Sequence, residues 1–219
     1  MDLGLQQKVA LVTGGSSGIG RACAVELGRE GANVCIVARD PARLTEAEDE
    51  IRETGADVLS VSADLSTEEG CHAAFQTCRE RFGLVDILIN NAGAARQANV
   101  LELDTALIDE ALALKTYGYL RLAQLVAPGM RERRWGRIVN IAGGAGAAPT
   151  AGNLPVSFAN VTVLNMTRAL SDALSGDGVL VNTICPGLTN TPRARRLQGP
   201  AGQQGGDVEA TLAEMGRRL

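Results

Sequence analysis

The stretch Val9-Ala-Leu-Val-Thr-Gly-Gly-Ser-Ser-Gly-Ile-Gly20 constrains this chain more than any other. An apolar, strand-like run passes straight into a glycine-rich turn, and a helical pattern follows from Arg21 to Glu30. Gly14, Gly18 and Gly20 let the backbone turn tightly and come close to a ligand, because a Cβ there would collide or strain the dihedrals. The following helix aims its free N–H groups and positive dipole end at whatever lies over the turn, and an anionic pyrophosphate is the usual occupant. The stretch reads as a cofactor cradle.

The rest of the chain alternates strand-like with helix-like segments. Strands are expected at residues 9–13, 33–38, 58–62, 85–90, 137–141 and 179–184, where apolar runs are nearly continuous. Helices are expected at 18–30, at 41–54 with Pro41 in the first turn, and at 67–82 with Ser66 as N-cap. A long helix is expected from Leu107 to Arg133, and another from Leu154 to Leu174. Apolar strands separated by helices imply a parallel sheet covered on both faces, hence a doubly wound α/β domain of three layers. Ligands then belong at the carboxyl ends of the strands.

Bulk properties narrow the function classes. The 219 residues suit one domain spanning 1–219, and aromatics make up only 3%, so Ala, Val, Leu and Ile must build the core. A net charge of −4 argues against a general nucleic-acid or anionic-membrane binder. No apolar stretch reaches the roughly 18 residues that span a bilayer. The N-terminus lacks the basic and apolar regions of a secretion signal, so a cytoplasmic location is expected. Cys71, His72 and Cys78 lie close in sequence, but His72 is turned about 100° from Cys71 on a helix, and no fourth ligand is evident. No metal site is expected, and the five cysteines read as small buried hydrophobes. The Gly/Gln-rich run 199–206 reads as a mobile loop, followed by a short amphipathic segment, 207–219.

Four motifs stand at matching positions: Thr13-Gly-x-x-x-Gly-x-Gly20, Asp64-Leu65 after the third strand, Asn90-Asn-Ala-Gly93 after the fourth, and Pro186-Gly-Leu-Thr-Asn-Thr191 after the sixth. Together they resemble the classical short-chain dehydrogenase/reductase family over nearly the whole chain. The resemblance implies a Rossmann-like fold and a nicotinamide cofactor. It also implies that Gly14, Ser16, Ser17, Gly18, Ile19 and Gly20 surround the diphosphate. Asp64 would accept from the adenine amino group, with Leu65 supporting the ring. Asn91, Ala92 and Gly93 would line the adenosine ribose. Pro186, Gly187, Thr189 and Thr191 would pack on the nicotinamide and its carboxamide. At the end of the second strand a carboxylate would select NAD, but Ala38 stands there, followed by Arg39. A guanidinium favours a 2′-phosphate, so NADP(H) is preferred over NAD(H). Arg43 could help, or could be a solvated helix residue.

The family's reaction uses a serine to polarise the carbonyl, a tyrosine to pass the proton, a lysine four residues later, and an asparagine on the preceding helix. The spacing puts Gly143, Val156, Asn160 and Lys115 at those four positions. No tyrosine follows Tyr119 and no lysine follows Lys115, so no shift of alignment restores the pair. Valine has no proton to give and glycine no hydroxyl. Lys115 is the candidate substitute: desolvated beside a cofactor, it would act as acid or electrostatic stabiliser. The plainer reading has its ammonium snorkel to solvent, with Tyr119 packed in the helix interface. Ser157 would point away from the site, and Arg96 is either an anion contact or a loop arginine.

Three functions are open at this point: an NADP(H)-dependent oxidoreductase with a rearranged site acting on an unknown carbonyl or alcohol, a non-catalytic NADP(H)-binding scaffold or sensor, and a non-redox lyase or isomerase. Relatives in the resembled family continue into a seventh strand, so the sequence is expected to stop short of it. A homodimer or higher homo-oligomer is implied through the two long helices.

Overall fold

Near-continuous apolar runs cannot leave either edge of their backbone unpaired in a core, and here they pair with one another. The computed structural model describes residues 3–94, 96–187 and 189–197. Its strands are β1 (Val9–Thr13), β2 (Asn33–Ala38), β3 (Val58–Ser62), β4 (Ile87–Asn90), β5 (Gly136–Ile141) and β6 (Val179–Ile184). They form one parallel sheet in the order β3-β2-β1-β4-β5-β6. The helices are α1 (Gly18–Arg29), α2 (Pro41–Arg52), α3 (Glu68–Phe82), α4 (Ala106–Leu112), α5 (Gly118–Glu132), α6 (Leu154–Leu174) and α7 (Pro192–Leu197). This is the doubly wound α/β architecture that the alternation implied.

Side chains alternate across each strand and feed two cores. Val12, Ile36, Leu44 and Ile51 join β1 and β2 to α2 on one side. Leu11, Leu88, Leu122 and Met130 join β1 and β4 to α5 on the other. Cover is incomplete at one edge. Val179 and Val181 of β6 are buried, but Leu180 and Ile184 are 48% and 52% exposed. Among the described residues, Leu180 and Ile184 therefore lie on the less covered face of this edge strand. The 199–206 loop and the 207–219 segment lie outside the described residues.

Three local differences have physical causes. Thr67, not Ser66, caps α3: its Oγ1 accepts from the Gly70 N–H at 3.0 Å. Ser66 instead donates its N–H and hydroxyl to Asp64 Oδ1, at 3.0 and 2.8 Å. β4 starts at Ile87 because the Asp86 carboxylate, rather than a backbone carbonyl, receives the Val9 N–H at 3.1 Å. The expected helix from Leu107 to Arg133 is interrupted by one wide π turn, Ala113–Tyr117, between α4 and α5. Such turns widen the helix locally and often accompany functional positions. Lys115 lies in this one.

A buried polar chain ties the centre of the sheet to α6. Asn90 Nδ2 donates to Asn140 Oδ1 at 2.9 Å, and Asn140 Nδ2 donates to Thr167 Oγ1 at 2.9 Å. Thr167 also accepts from Thr183 at 2.6 Å and donates to the Val163 carbonyl at 2.8 Å. Removing the middle member takes one bond from Asn90 and one from Thr167, both buried, and leaves each less well satisfied. Asn140→Leu is expected to lower unfolding stability by about 1–3 kcal/mol. This would appear as a lower urea midpoint at unchanged slope. An unchanged midpoint would remove the chain from the stability account.

Candidate functional site

β1 and β4 are neighbours in the sheet, yet the chain leaves β1 towards β2 on the opposite side. Their carboxyl ends diverge and open a crevice, the place where ligands bind in folds of this type. Thr13 and Asn91 hold its two walls together. Thr13 Oγ1 accepts from the N–H groups of Asn91 and Ala92 at 2.8 and 3.0 Å. Asn91 Nδ2 donates back to the carbonyls of Thr13 and Gly14, at 3.0 and 3.3 Å. The glycines make this closeness possible. Gly14 has φ +65°, and a Cβ on it would lie 2.8 Å from Asn91 Nδ2. A Cβ on Gly20 would run into the Gly14 carbonyl and the same amide.

The crevice holds a cavity of about 660 Å³, within the range of small-molecule and cofactor sites. Gly14, Ser16, Ser17, Gly18 and Ile19 line it; Gly20 does not, being packed beneath the turn. Ser17 is the N-cap of α1 in extended conformation, but its side chain makes no capping bond. The first-turn N–H groups of α1 are thus left for an anion rather than for the chain's own hydroxyl. Gly18, at φ +57°, would bring a Cβ to 3.3 Å from the Thr191 side chain. The loop after β6 thus passes close over the turn.

The other walls follow from neighbouring strand ends. Asn91, Ala92 and Gly93 line the cavity after β4, and Pro186, Gly187, Thr189 and Thr191 line it after β6. Leu65 lines it and Asp64 does not; Asp64 is exposed at the rim. The two bonds from Ser66 hold its carboxyl below the usual range, with a further contribution from the Arg39 charge. At the end of β2, Arg39, Asp40 and Arg43 line the cavity together. Asp40 is occupied elsewhere: it caps α2 through the N–H groups of Ala42 and Arg43, at 3.1 and 3.3 Å, and pairs with the Arg43 guanidinium at 3.3 Å.

The inner end of the site lies where the π turn meets α6. Lys115 lines the cavity, and its Nζ donates to Asn160 Oδ1 at 2.7 Å and to the Ala142 carbonyl at 3.3 Å. The ammonium does not snorkel to solvent, so the plainer reading of this lysine is corrected. Burial, and secondarily the Arg193 charge, bring its pKa down to about 8, with Cys185 acting in the opposite sense. Gly143 packs against Asn160, where a Cβ would lie 3.2 Å from its Nδ2. Val156 is half-buried and outside the lining. Tyr119 is buried, with its hydroxyl donating to the Ile141 carbonyl at 3.3 Å, and burial raises its pKa. It is therefore closed to the cavity. Ser157 is buried, and Arg96 pairs with Glu110 on the surface at 3.1 Å.

Sequence reasoning missed Leu114, Ala142 and the part played by Arg193, all in the lining. Arg193 Nη1 donates to the Gly93 carbonyl at 2.6 Å, joining the loops after β4 and β6. The pair Thr191-Pro192 was a usable signal for that short helix, since Thr191 Oγ1 accepts from the Ala194 N–H at 3.1 Å and Pro192 is its first residue. Leu114 and Ala142 carry no chemical signal in sequence. The cysteines divide: Cys35, Cys71 and Cys78 are buried as expected, Cys23 is partly buried and Cys185 is exposed.

Comparisons with known proteins agree with this geometry. The family model described as short chain dehydrogenase matches residues 8–200. The (2S)-((R)-hydroxy(phenyl)methyl)succinyl-CoA dehydrogenase subunit of Thauera aromatica is 36% identical over 190 residues, covering 87% of this chain and 76% of that protein. The 3-oxoacyl-(acyl-carrier-protein) reductase of Pseudomonas aeruginosa is 32% identical over 195 residues, covering 89% and 79%. The crystal structure of L-sorbose reductase from Gluconobacter frateurii, complexed with NADPH and L-sorbose, superposes with a TM-score of 0.92 at 34% identity, covering 98% of this chain and 82% of that one. A glycine cradle at the β1–β4 crevice, walls from four strand ends and these similarities give one conclusion: the chain belongs to the short-chain dehydrogenase/reductase family of oxidoreductases.

Proposed function

We propose that this chain is an NADP(H)-dependent oxidoreductase that interconverts a carbonyl and an alcohol on a small molecule. The observation that carries the cofactor choice is Arg39, which lines the cavity at the end of β2, while the carboxylate that lines it alongside, Asp40, is engaged by the α2 cap and Arg43. A cationic guanidinium there suits a 2′-phosphate, which it contacts with charge assistance. The NADPH complex of the similar sorbose reductase supports the same choice.

The cradle fits such a cofactor because its closest approaches are backbone without Cβ atoms and its helix end is uncapped. Gly14, Ser16, Ser17, Gly18, Ile19 and Gly20 hold the diphosphate, with Gly20 acting from beneath. Asp64, kept ionised by Ser66, takes the adenine amino group beside Leu65. Asn91, Ala92 and Gly93 bound the adenosine ribose, and Pro186, Gly187, Thr189 and Thr191 hold the nicotinamide end. The cofactor, when bound, supplies or accepts a hydride. The chain's own residues bind and orient it and exclude water.

A second reading, cofactor binding without turnover, is favoured by one observation: Gly143 and Val156 offer neither hydroxyl nor proton at the positions where this family's reaction uses them. A lyase or isomerase on the same scaffold would share that feature. We further propose a homodimer in the cytoplasm, built on the long helices, where Tyr117 and Phe158 are 51% and 41% exposed. A single species at twice the chain mass in sedimentation equilibrium supports the dimer, and a monomer overturns it.

Fluorescence titration separates these readings. NADPH is expected to bind more tightly than NADH, and a panel of ketones and alcohols is expected to give turnover on the same sample. No binding of either nucleotide overturns the cradle, whereas tight binding without turnover across the panel favours the scaffold. Arg39→Ala is expected to weaken NADPH binding by about 10- to 100-fold, the worth of one charged hydrogen-bonded contact. NADH binding should stay unchanged. Equal losses for both nucleotides would remove Arg39 from cofactor selection.

A further inference from the structure

Lys115, Gly143 and Asn160 form one contact set. The Asn160 side chain is buried at 3% exposure, and the loop containing Gly143 and Gly146 closes on it. A Cβ at Gly146 would lie 3.0 Å from the Asn160 Cβ, and one at Gly143 would crowd the carboxamide. The missing side chains let that carboxamide lie flat against the loop with Oδ1 accepting from Lys115. The Ala142 carbonyl receives a second Lys115 proton. An ammonium has three donors, and these two acceptors leave the third for a group in the cavity that Lys115 lines.

We propose that Lys115 is the proton-transfer residue of this site, held in place by Asn160 as a positioning residue and by the Ala142 carbonyl. The assignment rests on the oxidoreductase reading. In reduction, the carbonyl carbon of the substrate gains a hydride as a dihydronicotinamide is oxidised, and the C=O π pair moves to oxygen. One N–H bond of Lys115 breaks, its proton passes to that oxygen, and the neutral amine regains a proton from solvent. In oxidation the neutral amine takes the hydroxyl proton. The titratable groups facing it are Arg193 from α7 and Cys185 after β6, with Tyr119 turned away onto Ile141; among the described residues, no carboxylate is one of them. A lysine pKa near 8 suits the task, because an acid works best when its pKa lies near the operating pH.

The sign follows directly. Reduction needs the ammonium, so its rate is full below about pH 8 and falls above it; oxidation needs the amine and rises across the same range. The chain holds two lysines, Lys8 and Lys115, which makes the direct measurement clean. Protein labelled with 13C at lysine Cε should show one NMR resonance titrating near pH 8 that disappears in Lys115→Met. Asn160→Asp adds a carboxylate and should move that titration upward, with the fall-off of the reduction profile moving in step. Lys115→Met and Lys115→Arg should both lose about 100-fold or more in kcat for reduction at retained NADPH affinity. Arginine keeps the charge but cannot release a proton, so rescue by Lys115→Arg overturns proton transfer in favour of charge alone. A Lys115 resonance titrating in the ordinary lysine range overturns the proposal too, as does full turnover in Lys115→Met. Wild-type protein that binds NADPH yet reduces nothing in the panel overturns the oxidoreductase reading and this proposal together. Undiminished turnover in Lys115→Met overturns the proposal alone.

Discussion

The contact between the Gly14–Gly20 turn and Asn91 is the constraint on which the rest of this structure depends. The four apolar residues and Thr13 of β1 deliver the chain to the turn, and Asn91 stands at the end of β4, so two loops of distant sequence must share a space too small for a Cβ. Four hydrogen bonds cross that space, from Asn91 and Ala92 to Thr13 and Gly14. The bonds fix the angle at which α1 leaves the turn. They therefore fix where its uncapped N–H groups face. The cavity exists because this join is tight below and open above.

From there the order spreads inward through polar groups. Asn90, adjacent to Asn91, starts the chain of bonds through Asn140 to Thr167 on α6 and Thr183 on β6. Buried polar groups are stabilising only when nearly all are satisfied. Asn90 Oδ1 is the one orphan among the described residues. Two turns of backbone away on α6, Asn160 meets Lys115. The sheet centre and the inner end of the cavity are thus held by the same helix.

Much of this was legible in the amino-acid sequence, for a simple reason. β1, β2, β3, β6 and α6 match their expected bounds because apolar runs and a 3.6-residue repeat leave little choice. The cradle was legible because glycine reports backbone geometry directly. What could not be read depends on side-chain direction. The π turn at Ala113–Tyr117 leaves the apolar pattern of the helix intact, so nothing in the spacing announces it. Whether Lys115 reaches solvent or Asn160 depends on that turn and on Gly143, residues 28 positions apart in sequence. Ser66 and Thr67 are equally good caps by type, and the choice fell to Thr67 because Ser66 was taken by Asp64. The open face of β6 was hidden because Leu180 and Ile184 look like core residues.

On the proposed reading of the site, its two halves respond differently to substitution, because one is built from backbone and the other from side chains. The cradle is made of backbone: glycines, helix-end N–H groups and carbonyls fixed by the β1–β4 join. Residues 143, 156 and 160 come from the loop after β5 and from α6, not from the β1–β4 join. Changes there leave the cradle's geometry in place. They are not independent of one another, however. A Cβ at 143 presses on the Asn160 amide, and the Asn160 oxygen holds Lys115. An ammonium brought from α4's end to this spot therefore needs the asparagine to receive it and the glycine to make room. On that reading, three of the four departures from the family pattern, Lys115, Gly143 and Asn160, are physically one.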